Sequence, residues 1–297
     1  MLPNFLVIGA AKSGTTALYY HLKSHPQIFM SPIKEPAFFA MDGRLPDYSA
    51  PPGVVLPRRH LVTVEHEYRA LFEGVTTERA IGEASPYLGN PQAAERIRRT
   101  LPDVRLVAVL RNPIDRAYSN YLHQVRDGVE PCTDFRDALE AEEGRIRANW
   151  SPFWHYKGLG FYHHQLRAYF ERFDRRQIRV HLYDDFVADP SAVMRDLFTF
   201  LDVDPAFEPD VTRRYNESGV PNNRKLYAWI RKPFRYGLVP NILRTSSLAQ
   251  RAGTLLHQTL LSKPRIAETT RGELKGVFRS DILALQELLG RDLSAWL

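Results

Sequence analysis

The chain has 297 residues, 44% of them apolar and 25% charged, with a formal net charge of +6. That length can bury a substantial core, and the composition is that of a globular protein, which excludes a largely disordered chain. The single cysteine, Cys132, excludes an intramolecular disulfide framework, and no Cys/His group has the spacing of a zinc site. The basic balance favours anionic partners such as nucleotides, acidic glycans, membrane surfaces or nucleic acid without choosing among them, and no nucleic-acid recognition motif is present. No run of about 18 apolar residues would span a bilayer. Met1 to Asn4 leads straight into the first strand, so no signal peptide is expected. The expectation is one soluble, cytoplasmic, bacterial domain over residues 1–297.

Phe5 to Ile8 is a continuous apolar run, the pattern of a parallel strand buried on both faces. Gly9 to Thr16 (GAAKSGTT) then turns into a segment, Ala17 to Leu22, that reads as the start of a helix. A strand, a small-residue loop and a helix N-terminus make a phosphate cradle of inward backbone amides, to which Lys12 adds a full charge. The ATP-binding pattern GxxxxGK[ST] would need lysine after Gly14, where this chain has Thr15. Lysine at position 12 suits a shorter phosphate chain with its reacting group elsewhere. A kinase-like NTP phosphotransferase and a non-catalytic nucleotide- or glycan-binding module are the other readings of such a loop.

The stretch IGAAKSGTTALYYHLKSHPQI resembles the 5′-phosphosulfate loop of sulfotransferases that use 3′-phosphoadenosine 5′-phosphosulfate (PAPS), in the variety shared by heparan-sulfate-type and many bacterial enzymes. The resemblance implies an α/β fold, with a central parallel sheet flanked by helices and a P-loop-like nucleotide site. PAPS would be the co-substrate, 3′-phosphoadenosine 5′-phosphate (PAP) the product, and no metal is expected. Lys12, Ser13, Gly14, Thr15 and Thr16 would hold the 5′-phosphosulfate, with Lys12 also acting in catalysis.

Gln27 to Met30 reads as a short second strand. In the following SPIKEPAFF, Pro36 biases Glu35 away from helical geometry and into an extended strand-end loop. This resembles the family's K-E-x-x-F-F stretch, which makes Glu35 the general base on the acceptor hydroxyl. Residues 41–67 are Pro-rich and irregular, a candidate acceptor-side loop, and Glu67 to Phe72 reads as a short helix. GEASPYL, from Gly82, resembles the family's E-x-S-P-x-Y segment. Glycan-modifying members often carry lysine where this chain has Ala84, which counts against a heparan-like acceptor. Glu83 is a second candidate base, with a structural hydrogen-bonding role as its alternative.

Val104 to Leu110 is the clearest core strand after the first. It ends in Arg111, and Pro113 opens a helix that carries Ser119 and His123. The resemblance assigns Arg111 and Ser119 to the cofactor's 3′-phosphate, consistent with the fork of a guanidinium on phosphate oxygens. Residues 134–149 read as one charged helix, and Tyr162 to Phe173 as another. Gln177 to Tyr183 is a further strand, and Tyr183 would lie beside the adenine, although core packing would give the same pattern. The segment 216–224 resembles the late loop that closes over PAPS, with Arg224 as a second 3′-phosphate ligand. Residues 225–263 alternate basic and apolar residues, as peripheral membrane contact, an acceptor-side cover or capping helices would require. Residues 272–297 resemble the family's terminal helix with its Leu/Trp anchor. The acceptor would be the hydroxyl or amine of a sugar, glycolipid, phenol or natural product.

Overall fold

A computed structural model describes residues 1–56, 60–211 and 264–297, with the backbone of 220–221 and 261–262. Arg224 and nearly all of 225–263 lie outside the described residues. The core is a five-stranded parallel sheet in the order β2-β3-β1-β4-β5. Its strands are β1 (Phe5–Gly9), β2 (Ile28–Met30), β3 (Ala80–Ala84), β4 (Arg105–Leu110) and β5 (Ile178–Leu182). A second, two-stranded antiparallel pair joins β6 (Val220–Pro221) to β7 (Leu261–Ser262).

Side chains alternate across the sheet, and both faces are covered. Phe5, Val7, Val107 and Val109 pack on one face against α1 (Thr15–Lys23) and α9 (Pro190–Phe200), through Leu18, Leu22, Met194 and Phe198. Leu6, Ile8, Leu106 and Leu110 pack on the other, against α3 (Pro91–Thr100), α4 (Pro113–Arg126), α7 (Tyr162–Phe170) and α10 (Glu268–Leu289). The α/β fold with a parallel sheet flanked by helices is therefore the one the sequence leads one to expect. Among the described residues the remaining helices are α2 (Glu65–Ala70), α5 (Phe135–Glu140), α6 (Glu142–Arg147) and α8 (Tyr183–Ala188).

Two elements differ from the sequence reading. The charged segment 134–149 is two short helices, α5 and α6, broken at Ala141, with Asp134 capping the first through the amide of Arg136. The second difference is β3, an AIGEA run whose composition does not favour strands. It nevertheless lies between β2 and β1, with all five residues buried. Gly82 explains the composition. The Phe5 ring of β1 lies on it so closely that a Cβ there would come within 2.3 Å.

Because β1 is flanked by β3 and β4, the chain leaves β1 toward one side of the sheet and later returns to build the other. Open α/β sheets bind ligands outside the carboxyl ends of their strands at such a reversal. The loops after β1, β3 and β4 all emerge there. The helix α10 and the residues after it close the far side: Arg271 pairs with Asp115 at the start of α4 at 2.7 Å, and Arg291, just past the helix, pairs with Asp185 in α8 at 2.7 Å. Leu293 and Trp296 are buried beyond it, with the Trp296 ring 6.3 Å from Tyr162.

Candidate active site

The loop from Ala10 to Gly14 returns sharply at the end of β1. Lys12 has φ 69°, the left-handed region that a lysine enters at a cost of about 1–3 kcal/mol, and Gly14 follows at φ 86°. A side chain at Gly14 is excluded twice over, by that φ and by the Tyr183 ring 3.2 Å from where a Cβ would sit. Thr15 and Thr16 are the first two residues of α1 and are half-buried. The helix opens with no side-chain cap and no acidic residue in its first turn, so its leading amides suit an anion. Ser13 is fully buried. Its Oγ and the hydroxyl of buried Tyr162 lie at one spot, and neither makes a well-formed hydrogen bond among the described residues.

Arg111 stands at the end of β4. Its guanidinium lies 4.8 Å from the centre of the Tyr183 ring, and Nη1 donates to the Lys12 carbonyl at 3.4 Å. One side of the site is thus Arg111 lying between the Lys12 carbonyl and the Tyr183 ring, with Tyr183, the first residue of α8, also against Gly14. Asn112 caps α4 through the amides of Ile114 and Asp115, and Ser119 lies two turns along it, buried. Beneath them Arg116 is fully buried, its Nη2 donating to the Tyr156 carbonyl.

Burial pushes the Lys12 ammonium down to about 8, and Arg126 adds to the fall. Asp127 and Glu35 pull it back up, and Arg111 lowers it. Arg126 and Asp127, at the far end of α4, were not singled out from sequence. Their charges act on Lys12 from the end of a 14-residue helix, which advances about 21 Å from its start near Arg111. There Arg126 donates to Asp127 Oδ1 at 3.2 Å and meets His123 Nδ1 at 2.7 Å. The only signal for this in sequence is the unbroken helix length.

Glu35 lies in the loop between β2 and α2, with its amide bonded to the Ala84 carbonyl at 3.0 Å. The backbone is left-handed at both Glu35 (φ 63°) and Ala37 (φ 57°), where the sequence reading has an extended segment. Pro36 does bar the helix, but the carbonyl at the end of β3 turns the chain back further. The Glu35 carboxylate pairs with Lys34 Nζ and is 42% exposed, open to an incoming molecule. Glu83 is different. It is wholly buried and accepts hydrogen bonds from the hydroxyls of Tyr68, Ser85 and Tyr87. Of the two carboxylates, only Glu35 can be reached by a substrate. Ala84 is buried as well and presents nothing to the cleft.

Residues 3–209 match the sequence model of the Sulfotransferase family. Among curated proteins, the chain is 39% identical over 121 residues to the membrane-associated sulfotransferase kil1 of Dictyostelium discoideum, covering 40% of this chain and 22% of that one. It is 27% identical over 223 residues to the bifunctional heparan sulfate N-deacetylase/N-sulfotransferase 1 of Caenorhabditis briggsae, covering 73% of this chain and 24% of that one. The chain therefore spans about a quarter of the length of these relatives. Among solved structures, a sulfotransferase from Alicyclobacillus acidocaldarius superposes with a TM-score of 0.76 at 34% identity, covering 100% of this chain and 99% of that one. The family match begins just before β1 and runs past α9, so it takes in the whole five-stranded sheet and every cleft residue described above. The chain belongs to the sulfotransferase family, enzymes that take their sulfuryl group from PAPS.

Proposed function

We propose that this protein transfers the sulfuryl group of PAPS to a hydroxyl, or an amine, on a carbohydrate, lipid or small-molecule acceptor, with residues 1–297 acting as one catalytic unit. The observation that carries this reading is the meeting of three strand-end loops: Arg111 bonds the Lys12 carbonyl, and the Glu35 loop is held on the last carbonyl of β3, the strand beside β1. The donor's 5′-phosphate would lie on the amides of residues 13–16 with Lys12 beside it, and its 3′-phosphate on Arg111 and Ser119. Tyr183 would border the adenine, and Arg224 would add a second 3′-phosphate contact.

The displacement is in line. Glu35 takes the proton of the acceptor hydroxyl as its oxygen bonds to sulfur. The bond from sulfur to the phosphate oxygen breaks on the opposite side, and its electron pair stays with the departing PAP. Lys12 and the helix amides neutralise that charge as it develops, a preorganised electrostatic contribution like that in phosphoryl transfer. The buried Ala84 leaves the acceptor side without a cation at the position where glycan-modifying relatives are expected to have one. An acceptor of low charge fits better than a heparan-like chain.

Calorimetric titration with PAP, beside 5′-AMP and ATP with Mg²⁺, tests the donor assignment. Wild type should bind PAP in preference to both. Lys12→Ala and Arg111→Ala should each weaken PAP by roughly 10- to 100-fold, the loss expected for one charge-assisted phosphate contact. A preference for ATP with Mg²⁺, or indifference to the 3′-phosphate, would overturn the reading in favour of a kinase-like one.

A further inference from the structure

Glu83 is a wholly buried carboxylate, and its partners connect it to the loop that bears Glu35. Its Oε2 accepts from the Ser85 hydroxyl at 2.8 Å, and its Oε1 accepts from the Tyr87 and Tyr68 hydroxyls. The same Ser85 Oγ accepts from the amide of Ala37 at 3.0 Å, and the Tyr87 oxygen is approached by the amide of Phe39 at 3.5 Å. Each hydroxyl thus stands between the carboxylate and one amide of the Glu35 loop. Phe38 and Phe39 shut the arrangement off from water, with Phe38 stacked on Tyr68 at 4.3 Å.

A hydroxyl has a single proton to donate, and an ionised carboxylate can only accept. While Glu83 is ionised, the Ser85 and Tyr87 protons are committed to it, and both oxygens keep lone pairs for the loop amides. A proton on Glu83 makes it a donor. One hydroxyl must then accept from it, and that hydroxyl's own hydrogen is left without a buried acceptor, a costly arrangement. The charge on Glu83 therefore decides whether all three hydroxyls can donate to it or one must turn its hydrogen away.

We propose that Glu83 is a positioning residue for Glu35: in its ionised state it orients the Ser85 and Tyr87 hydroxyls so that they hold the amides of Ala37 and Phe39, fixing the left-handed turn that presents the base. The role in turnover rests on the sulfotransferase reading above, whereas the hold on the loop does not. The groups acting on Glu83 are Tyr68 on α2, Ser85 and Tyr87 after β3, and Glu35. Burial lifts its carboxyl to about 7; the three hydroxyls oppose that rise and the charge of Glu35 adds to it. Loop order should accordingly increase through neutral pH. The contribution of Glu83 to global stability runs the other way. Its folded value lies above the ordinary 4.5, so stability is fully present below that value and is lost as pH rises toward about 7.

The test is hydrogen–deuterium exchange of segment 34–41, expressed as protection factors at pH 6 and pH 8, on wild type, Glu83→Gln and Ser85→Ala. PAP affinity and kcat are measured on the same samples. Wild-type protection of 34–41 should be several-fold higher at pH 8 than at pH 6. Glu83→Gln should lower it about tenfold and remove its pH dependence, with exchange of segment 10–16 and PAP affinity within twofold of wild type and kcat down at least tenfold. If Glu83→Gln does not fold, Ser85→Ala should loosen the loop with the carboxylate intact. Wild-type protection in both variants would overturn the proposal. So would loosening of 34–41 only in step with 10–16 and PAP affinity, which marks a general loss of fold. The expected exchange pattern in a protein that does not bind PAP would uphold the hold on the loop and sink the sulfotransferase reading.

Discussion

At the residue scale, the cleft is built from groups held where they would not otherwise rest. Lys12 and Glu35 both occupy left-handed backbone, and the Lys12 ammonium is depressed to about 8 by burial and by the nearby arginines. A buried anion would reverse that depression, so donor binding should be accompanied by proton uptake. At pH 8 the free protein carries about half a proton on Lys12, and the bound one should carry nearly a whole one. Calorimetry of PAP binding in buffers of different ionisation enthalpy should register uptake of up to about 0.5 proton in wild type and none in Lys12→Ala. Affinity should fall as pH rises above about 8. Lys12, Glu35 and Arg111 could be proposed for the site from the sequence because each falls in a strand-end loop whose residues resemble a family motif. Their backbone geometry could not, because the Ala84 carbonyl that turns the Glu35 loop comes from a strand some fifty residues away. Arg126 escaped for a related reason: its nearness to Lys12 is a property of a helix's length, not of any local pattern.

At the element scale, β1 and β4 announce themselves through apolar runs, while in β3 every residue but Ile81 disfavours a strand. Its place is set by its neighbours: Phe5 needs a surface without a Cβ, and Gly82 supplies it. Gly82→Ala should therefore be destabilising. A methyl 2.3 Å from a ring enclosed on all sides forces the sheet apart, and overpacking of this kind costs about 1–3 kcal/mol or more. A fall in the denaturant midpoint with an unchanged slope would show it, and the smaller Phe5→Leu in the same chain should restore part of the loss. The split of 134–149 into α5 and α6 has a comparable origin. Arg145 turns inward to Glu130, which it meets at 2.6 Å in a pair almost without solvent, and it lies against the rings of Trp150 and Tyr156. Charge composition marks such a segment as a solvated face; only tertiary structure shows that one arginine of the run is buried.

At the scale of the whole molecule, the cleft is assembled at the carboxyl ends of strands that come from widely separated parts of the chain, and α10 with the residues after it ties α4 and α8 in place. The pairs Arg271–Asp115 and Arg291–Asp185 are partly exposed, which limits each to about 1 kcal/mol or less after screening by solvent and salt. Arg271→Ala should weaken PAP binding by only a few-fold, and the double variant with Arg291→Ala by roughly the product, since the two pairs anchor different helices. Equal affinity in wild type and the double variant would show that α10 acts through packing alone. That packing is extensive: Phe278, Ile282, Leu285 and Trp296 are all buried against the side of the sheet that α3, α4 and α7 cover. The region by which the family is recognised ends at residue 209, before this helix begins. A fragment cut at that boundary would keep Lys12, Glu35, Arg111 and Tyr183 and would expose the apolar face that α10 covers. The stretch of sequence sufficient for kinship is shorter than the stretch required for a working enzyme, and a minimal catalytic unit designed from the former would aggregate before it could bind its donor.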